Sequence, residues 1–218
     1  MVRLFIIGID CFPIWILVIP VIAILQFFVF KQRGFRKFFM ALVFAFYLIG
    51  VFFVTGIPTF DSLRIELHFQ WIPLIDIVNE PVGYLKNTVL NIILFMPMGF
   101  LLPALWKEYR SFKATLFSGF ATSLLIEILQ IFTFRLTDVD DLITNTIGTV
   151  AGYYLWKMAA KRIVKKPSEG YEAKKRFGRY EPIIILTVMF LIHFFLKPLV
   201  LNAVWDLVLS SSWWERIR

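Results

Sequence analysis

Charge is scarce in this chain: Asp, Glu, Lys and Arg make up 17% of its 218 residues, against about 25% in a typical soluble domain. Cysteine is almost absent. The single Cys11 excludes an intramolecular disulfide framework and a multi-cysteine zinc site. Its neighbour Asp10 stands where a lipid-attachment motif requires a small residue, so Cys11 reads as an unmodified thiol at the membrane edge. The two histidines, His68 and His193, fall in no metal-binding spacing. There is no HExxH helix, no nucleophile elbow and no glycine-rich phosphate loop. The second helical acid motif of the lipid alcohol phosphotransferases is missing too.

What is present is apolar: 59% of residues are hydrophobic, 25 are Phe, and mean hydropathy is +0.76. Such a composition does not belong in water. The apolar residues lie in six stretches, 11–30, 38–57, 89–105, 114–134, 142–159 and 182–201. Each can cross a ~30 Å hydrocarbon core as a helix, the third and fifth being shortest. The expected fold class is an all-α, polytopic membrane helix bundle of about six transmembrane helices. Arg3 before an apolar run resembles a signal peptide. However, the run continues to Phe30 and ends in a basic cluster without a small-residue cleavage site, so it reads as the first span.

Lys and Arg exceed Asp and Glu by 23 to 15, a formal net charge of +8. In a membrane protein this excess marks cytoplasmic loops rather than nucleic-acid binding, and no nucleic-acid partner is expected. Lys31 to Lys37, Lys107 to Lys113 and Lys157 to Arg179 are alternate segments that together carry 16 of the 23 basic residues. They are expected in the cytoplasm, which places both termini outside. Ten of the 15 acids then fall outside as well. The basic stretch 165–179 is expected to lie on anionic inner-leaflet lipids. Trp213 and Trp214 fit an interfacial aromatic belt.

Three spans carry polar exceptions, each on one helical face. In the third, Asn87, Asn91, Phe95 and Gly99 recur every four residues. In the fourth, Gly119, Ser123, Glu127 and Gln130 are spaced 4, 4 and 3. In the fifth, Asp138, Asp141, Asn145, Gly148 and Gly152 are spaced 3, 4, 3 and 4, with Asp140 beside them. The polar ends of all three face outward in the expected orientation, and the glycine ends face inward. Small residues four apart let helix backbones approach closely. The expectation is therefore packing through Gly99, Gly119, Gly148 and Gly152, with a polar pocket opening outward. Pro97 lacks a backbone N–H and is expected to kink the helix or loosen the turn around Ile93; Pro103 marks the inner end of that span.

Simpler roles compete for each polar group. Asn87 and Asn91 could be interhelical hydrogen-bond glue, and Gln130 could reach interfacial water. Asp138, Asp140 and Asp141 suit a helix N-terminus. Glu127, about two turns below the outer surface, requires a partner or a raised pKa. Arg135 could pair with Glu127 or with Asp138.

Taken together, Asn87-x3-Asn91-x3-Phe95-x-Pro97-x-Gly99, Ser123-x3-Glu127-x2-Gln130, then Arg135, Asp138, Asp140, Asp141, Asn145, Gly148 and Gly152 resemble the VanZ-like family. Trp71-Ile72-Pro73 is similar to that family's short apolar-Pro element. The resemblance covers about residues 70 to 156. It implies a multi-pass protein of the bacterial plasma membrane, in a family associated with resistance to glycopeptides, particularly teicoplanin, and without a settled reaction. With the apolar runs and charge placement, the expected organisation is two N-terminal spans and an outer loop (1–69), a three-span VanZ-like core (70–156), a basic cytoplasmic loop (157–181), and a last span with an interfacial tail (182–218).

Three functions compete. The first is a non-catalytic pocket of Asn87, Asn91, Ser123, Glu127, Gln130, Arg135, Asp138, Asp140, Asp141 and Asn145. It would bind a lipid-linked cell-wall precursor or a lipoglycopeptide, with no cofactor. The second is an enzyme acting on a lipid head group, with a divalent cation at the acidic cluster and Glu127 as general base. The third is a small-solute transporter, which requires a polar path to the cytoplasm. The inner halves of the stripes, glycine and apolar, argue against that path.

Overall fold

The structure, a computed structural model, describes residues 14–31, 34–64, 69–70, 74, 77, 80–133, 137–163 and 178–210. Arg135, Cys11, His68, the 71–73 element, most of the basic loop, and Trp213 with Trp214 lie outside the described residues.

Among the described residues the fold is all-α, with six helices. They are α1 (Ile14–Val29), α2 (Phe35–Thr55), α3 (Pro81–Leu105), α4 (Phe112–Gln130) and α5 (Val139–Ile163). The sixth, α6, joins Glu181–Leu191 to Lys197–Leu209 through a π-helical stretch, Ile192–Leu196. Four are long and apolar enough to cross a membrane: α2, α3, α4 and Glu181–Leu207 of α6. Helix α1 is apolar but shorter. Helix α5 has 25 residues, but Asp140 and Asp141 at one end and Lys157, Lys161 and Arg162 at the other confine its apolar part to the middle.

Burial is inverted relative to a water-soluble protein. Phe28, Phe35, Phe117 and Ile93 are exposed, whereas Gln26, Thr115, Ser123, Thr149 and His193 are fully buried. Apolar side chains facing outward from membrane-length helices meet lipid, and polar ones turn inward to find partners.

The chain divides into two compact units. The first takes in α1, α2 to Val54, residues 58–63 and α6 from Ile184. Ile14, Val18 and Ile22, at four-residue intervals on α1, are buried, as are Phe44 and Leu48 on α2 and Ile185 and Met189 on α6. Ring contacts join α1 to α2 (Trp15–Phe46, 6.0 Å) and α2 to α6 (Phe52–Phe190, 6.4 Å). His193 packs edge-on against Phe52, with ring centroids 5.7 Å apart. The π-helical stretch that holds it has a covalent counterpart in Pro198, which has no N–H to give the Phe194 carbonyl. The N–H of Phe60 donates to that carbonyl instead, at 3.1 Å.

The second unit takes in residues 55–57 and 64–183, and thus α3, α4 and α5. Helix α3 starts at Pro81, eight residues before its apolar run, with proline in the first turn where its missing N–H costs nothing. It continues through Pro97 and Pro103 to Leu105. Ser111 caps α4, its hydroxyl accepting the N–H of Ala114 at 3.2 Å. Phe69–Gln70 (β1) pairs in parallel with Thr137–Asp138 (β2), beside the start of α5.

Glycine sets how closely these helices pack. A Cβ added at Gly99 would overlap the Thr149 carbonyl, one at Gly148 the Ile92 carbonyl, and one at Gly152 the Met96 carbonyl. A Cβ at Gly119 would strike the Thr149 side chain. The pairs 92–148, 96–152 and 99–153 rise together, so α3 and α5 run parallel, backbone against backbone. Helix α4 runs antiparallel to α5, with Gly119 against Thr149 at one end and Glu127 against Asp138 at the other.

Candidate functional site

The polar groups lie where α3 and α5 begin and α4 ends, and the fold sorts them into two layers. The open layer is a cleft of roughly 400 Å³, counted to its mouth, between the N-terminal turns of α3 and α5. Asn87, Asp138, Asp140 and Asp141 line it, together with Glu80, Gly83, Tyr84, Thr88 and Thr144. Four carboxylates and one amide thus border the same small space.

Each acid also holds the local backbone. Asp138 accepts the N–H of Asp140 at 2.9 Å, a capping bond at the start of α5. Asp140, buried, accepts the N–H of Leu74 at 2.8 Å, tying the segment before α3 to the start of α5. Asp141 accepts from the Asn91 amide at 2.6 Å, the polar link between α3 and α5. All three acids sit where the positive end of the α5 dipole stabilises negative charge.

The closed layer lies on α4 and the next turn of α5. Ser123, Glu127, Gln130 and Asn145 are each 5% exposed or less. The Asn145 amide donates to Ser123 Oγ at 3.0 Å. A Glu127 carboxylate oxygen accepts the Asp138 N–H at 3.1 Å, which anchors β2 and the start of α5 to α4. Gln130 is not directed to water: its amide donates to the Thr55 carbonyl at 2.8 Å, one of the last carbonyls of α2 that lack an intrahelical donor. Below this layer the glycine contacts bring α3 and α5 together.

Of the ten nominated polar residues, four line the cleft, Asn91 bridges to one of them, four form the closed layer, and Arg135 lies outside the described residues. Among the described residues no three His, Cys, Asp or Glu side chains gather as a metal-holding group. Glu80, Tyr84, Thr88 and Thr144 line the cleft without having been nominated. The signal was available, because Glu80, Tyr84, Asn87 and Asn91 are spaced 4, 3 and 4. The stripe expected from Asn87 onward begins too late to include it, because the helix starts at Pro81.

The fold defines a multi-span integral membrane protein with a polar cleft at one end of its second unit. The VanZ/LLP1 family model matches residues 38–160, over half of the chain, and the protein belongs to that family. The match contains the motif-bearing stretch 70–156 and begins within α2. Protein VanZ of Enterococcus faecium is 35% identical over 85 residues, 38% of this chain and 52% of that protein. The chain therefore spans about half the length of this curated relative. No solved structure matches significantly.

Proposed function

We propose that this VanZ-like membrane protein sits in the bacterial plasma membrane and uses the α3–α5 cleft, facing outward, to bind the polar part of an envelope component. The ligand is a lipid-linked cell-wall precursor or a lipoglycopeptide, and binding contributes to glycopeptide (teicoplanin) resistance. The observation that carries this reading is the cleft itself, which gathers Asn87, Asp138, Asp140 and Asp141 at one end of helices of membrane length. A ligand with a polar head and an acyl tail suits such a position, since the tail can remain in lipid beside the exposed apolar faces. Helix packing through Gly99, Gly148 and Gly152 beneath the polar layers supports a binding site over a continuous polar path.

The test is direct binding. The full chain in nanodiscs is titrated with teicoplanin and, separately, with a polyprenyl-linked cell-wall precursor. Saturable binding of either, weakened at least ten-fold by Asn87→Ala combined with Asp141→Asn, is the expected result. Asp141→Asn keeps an oxygen for Asn91 and removes the charge. Binding unchanged by the double substitution would remove the cleft from the account.

A further inference from the structure

The end of the second unit opposite the cleft carries a surface of its own. The fold brings together the turn Lys107–Tyr109, the start of α4, the later turns of α5 and residues 178–180. Tyr109 donates its hydroxyl to the Arg179 carbonyl at 2.8 Å, and Tyr153 donates to the Arg110 carbonyl at 3.0 Å. Phe112 meets Tyr153 with ring centroids 5.4 Å apart and Tyr154 at 6.0 Å. Lys157 stands one turn beyond Tyr153, on the same face of α5. A side chain at Gly178 would collide with the Glu108 carboxylate, so this glycine lets the 178–180 segment lie close to the turn.

This scaffold is clamped by buried hydroxyls and rings, and its exposed charges are basic. Lys107, Arg110, Lys113, Lys157 and Arg179 are all exposed. The two acids at this end are drawn in: Glu108 is half-buried and Glu181 is 4% exposed. Tyr154 and Tyr180 are exposed beside the cations, the side-chain type that settles at a membrane's head-group level.

We infer that this end of α3, α4 and α5 is a binding surface for anionic phospholipid head groups, with Arg110, Lys113, Lys157 and Arg179 taking the phosphates. Charge complementarity selects the partner: fixed cations at the end of membrane-length helices face the leaflet surface, where anionic lipid concentrates. Guanidinium groups at Arg110 and Arg179 suit a phosphate's paired oxygens, and the ammonium groups act as point charges. The surface is separate from the cleft, and neither needs the other.

The full chain in detergent is titrated with phosphatidylglycerol, phosphatidylcholine or inorganic phosphate, and bound lipid is counted by native mass spectrometry. Phosphatidylglycerol should bind at least ten-fold more tightly than phosphatidylcholine, and added salt should weaken it. Arg110→Gln, Lys113→Gln and Arg179→Gln should each lower its affinity about five-fold. Arg110→Lys, which keeps the charge but not the paired donors, should lose less than Arg110→Gln, which separates lost charge from lost fold. Lys86→Gln, near the other end of α3, should change nothing. Equal affinity for the two lipids, or an equal loss in Lys86→Gln, would overturn the inference. Competition by inorganic phosphate at concentrations similar to the lipid's would reassign the surface to a soluble anion and overturn the lipid assignment.

Discussion

A carboxylate oxygen of Glu127 accepts the backbone N–H of Asp138 at 3.1 Å, eleven residues further along the chain. A buried acidic side chain of a membrane-length helix therefore holds a backbone, fixing the start of α5 and its three acids against α4. Removing the acceptor leaves a partly buried N–H unsatisfied, a loss of about 1–3 kcal/mol. Glu127→Ala should lower the thermal midpoint of the purified protein by several degrees, whereas Glu127→Gln, which keeps an amide oxygen, should stay near wild type. Equal losses in both would mean that the charge, and not the acceptor, is what the fold requires.

The Asn91–Asp141 bond, at 2.6 Å, joins two helices whose backbones already touch at Ile92 and Gly148. A double-mutant cycle of Asn91→Ala and Asp141→Ala, read by denaturation in detergent, should give a coupling of about 0.6–2 kcal/mol. Interhelical bonds in membranes fall toward the lower figure, and a charged acceptor raises it. Additive single effects would show that the contact contributes nothing to stability.

Glycine positions separate packing from propensity. At Gly50, in α2, nothing lies within 4 Å of an added Cβ, so Gly50→Ala should be neutral or stabilising by up to about 1 kcal/mol. At Gly99 the added methyl meets the Thr149 backbone, which cannot rotate away as a side chain could. Gly99→Ala should cost about 1–3 kcal/mol, visible as a lower thermal midpoint.

Much of this was legible in the sequence for an identifiable reason. Six helices follow from six apolar runs, and the stripes from Asn87 to Gly99 and from Asp141 to Gly152 follow from helical periodicity, whereas Asp138 precedes α5 and caps it. The early start of α3 was not legible from hydropathy, because residues 81–88 mix Lys86, Asn87 and Gly83 with apolar side chains; Pro81 was the better marker. Nor was the pairing of Phe69–Gln70 with Thr137–Asp138, since two residues on each side carry no periodicity. The division of one polar stripe into an open cleft and a closed layer depends on how helices rotate against each other. Spacing along one helix does not contain that information.

At the opposite end, burial raises the pKa of the Tyr109 phenol above 10.0; the Arg179 charge pulls it back, and Glu108 pushes it further up. The folded state thus holds this proton more tightly than the unfolded chain. Its contribution is complete below about pH 10 and is lost as pH rises through the folded value. Tyr109→Phe, which loses the 2.8 Å bond to the Arg179 carbonyl, should be about 1 kcal/mol less stable at neutral pH. Its stability should also fall less steeply above pH 10. An unchanged alkaline slope would contradict the burial argument.

The central claim is that the cleft side chains, and not the helices alone, carry the function. It is tested most directly by teicoplanin susceptibility of a strain lacking this protein, complemented with wild type or with Asn87→Ala combined with Asp141→Asn. The account predicts that the doubly substituted protein accumulates in the membrane at the wild-type level and leaves the strain as susceptible as the deletion. Full restoration of resistance by that variant would contradict it.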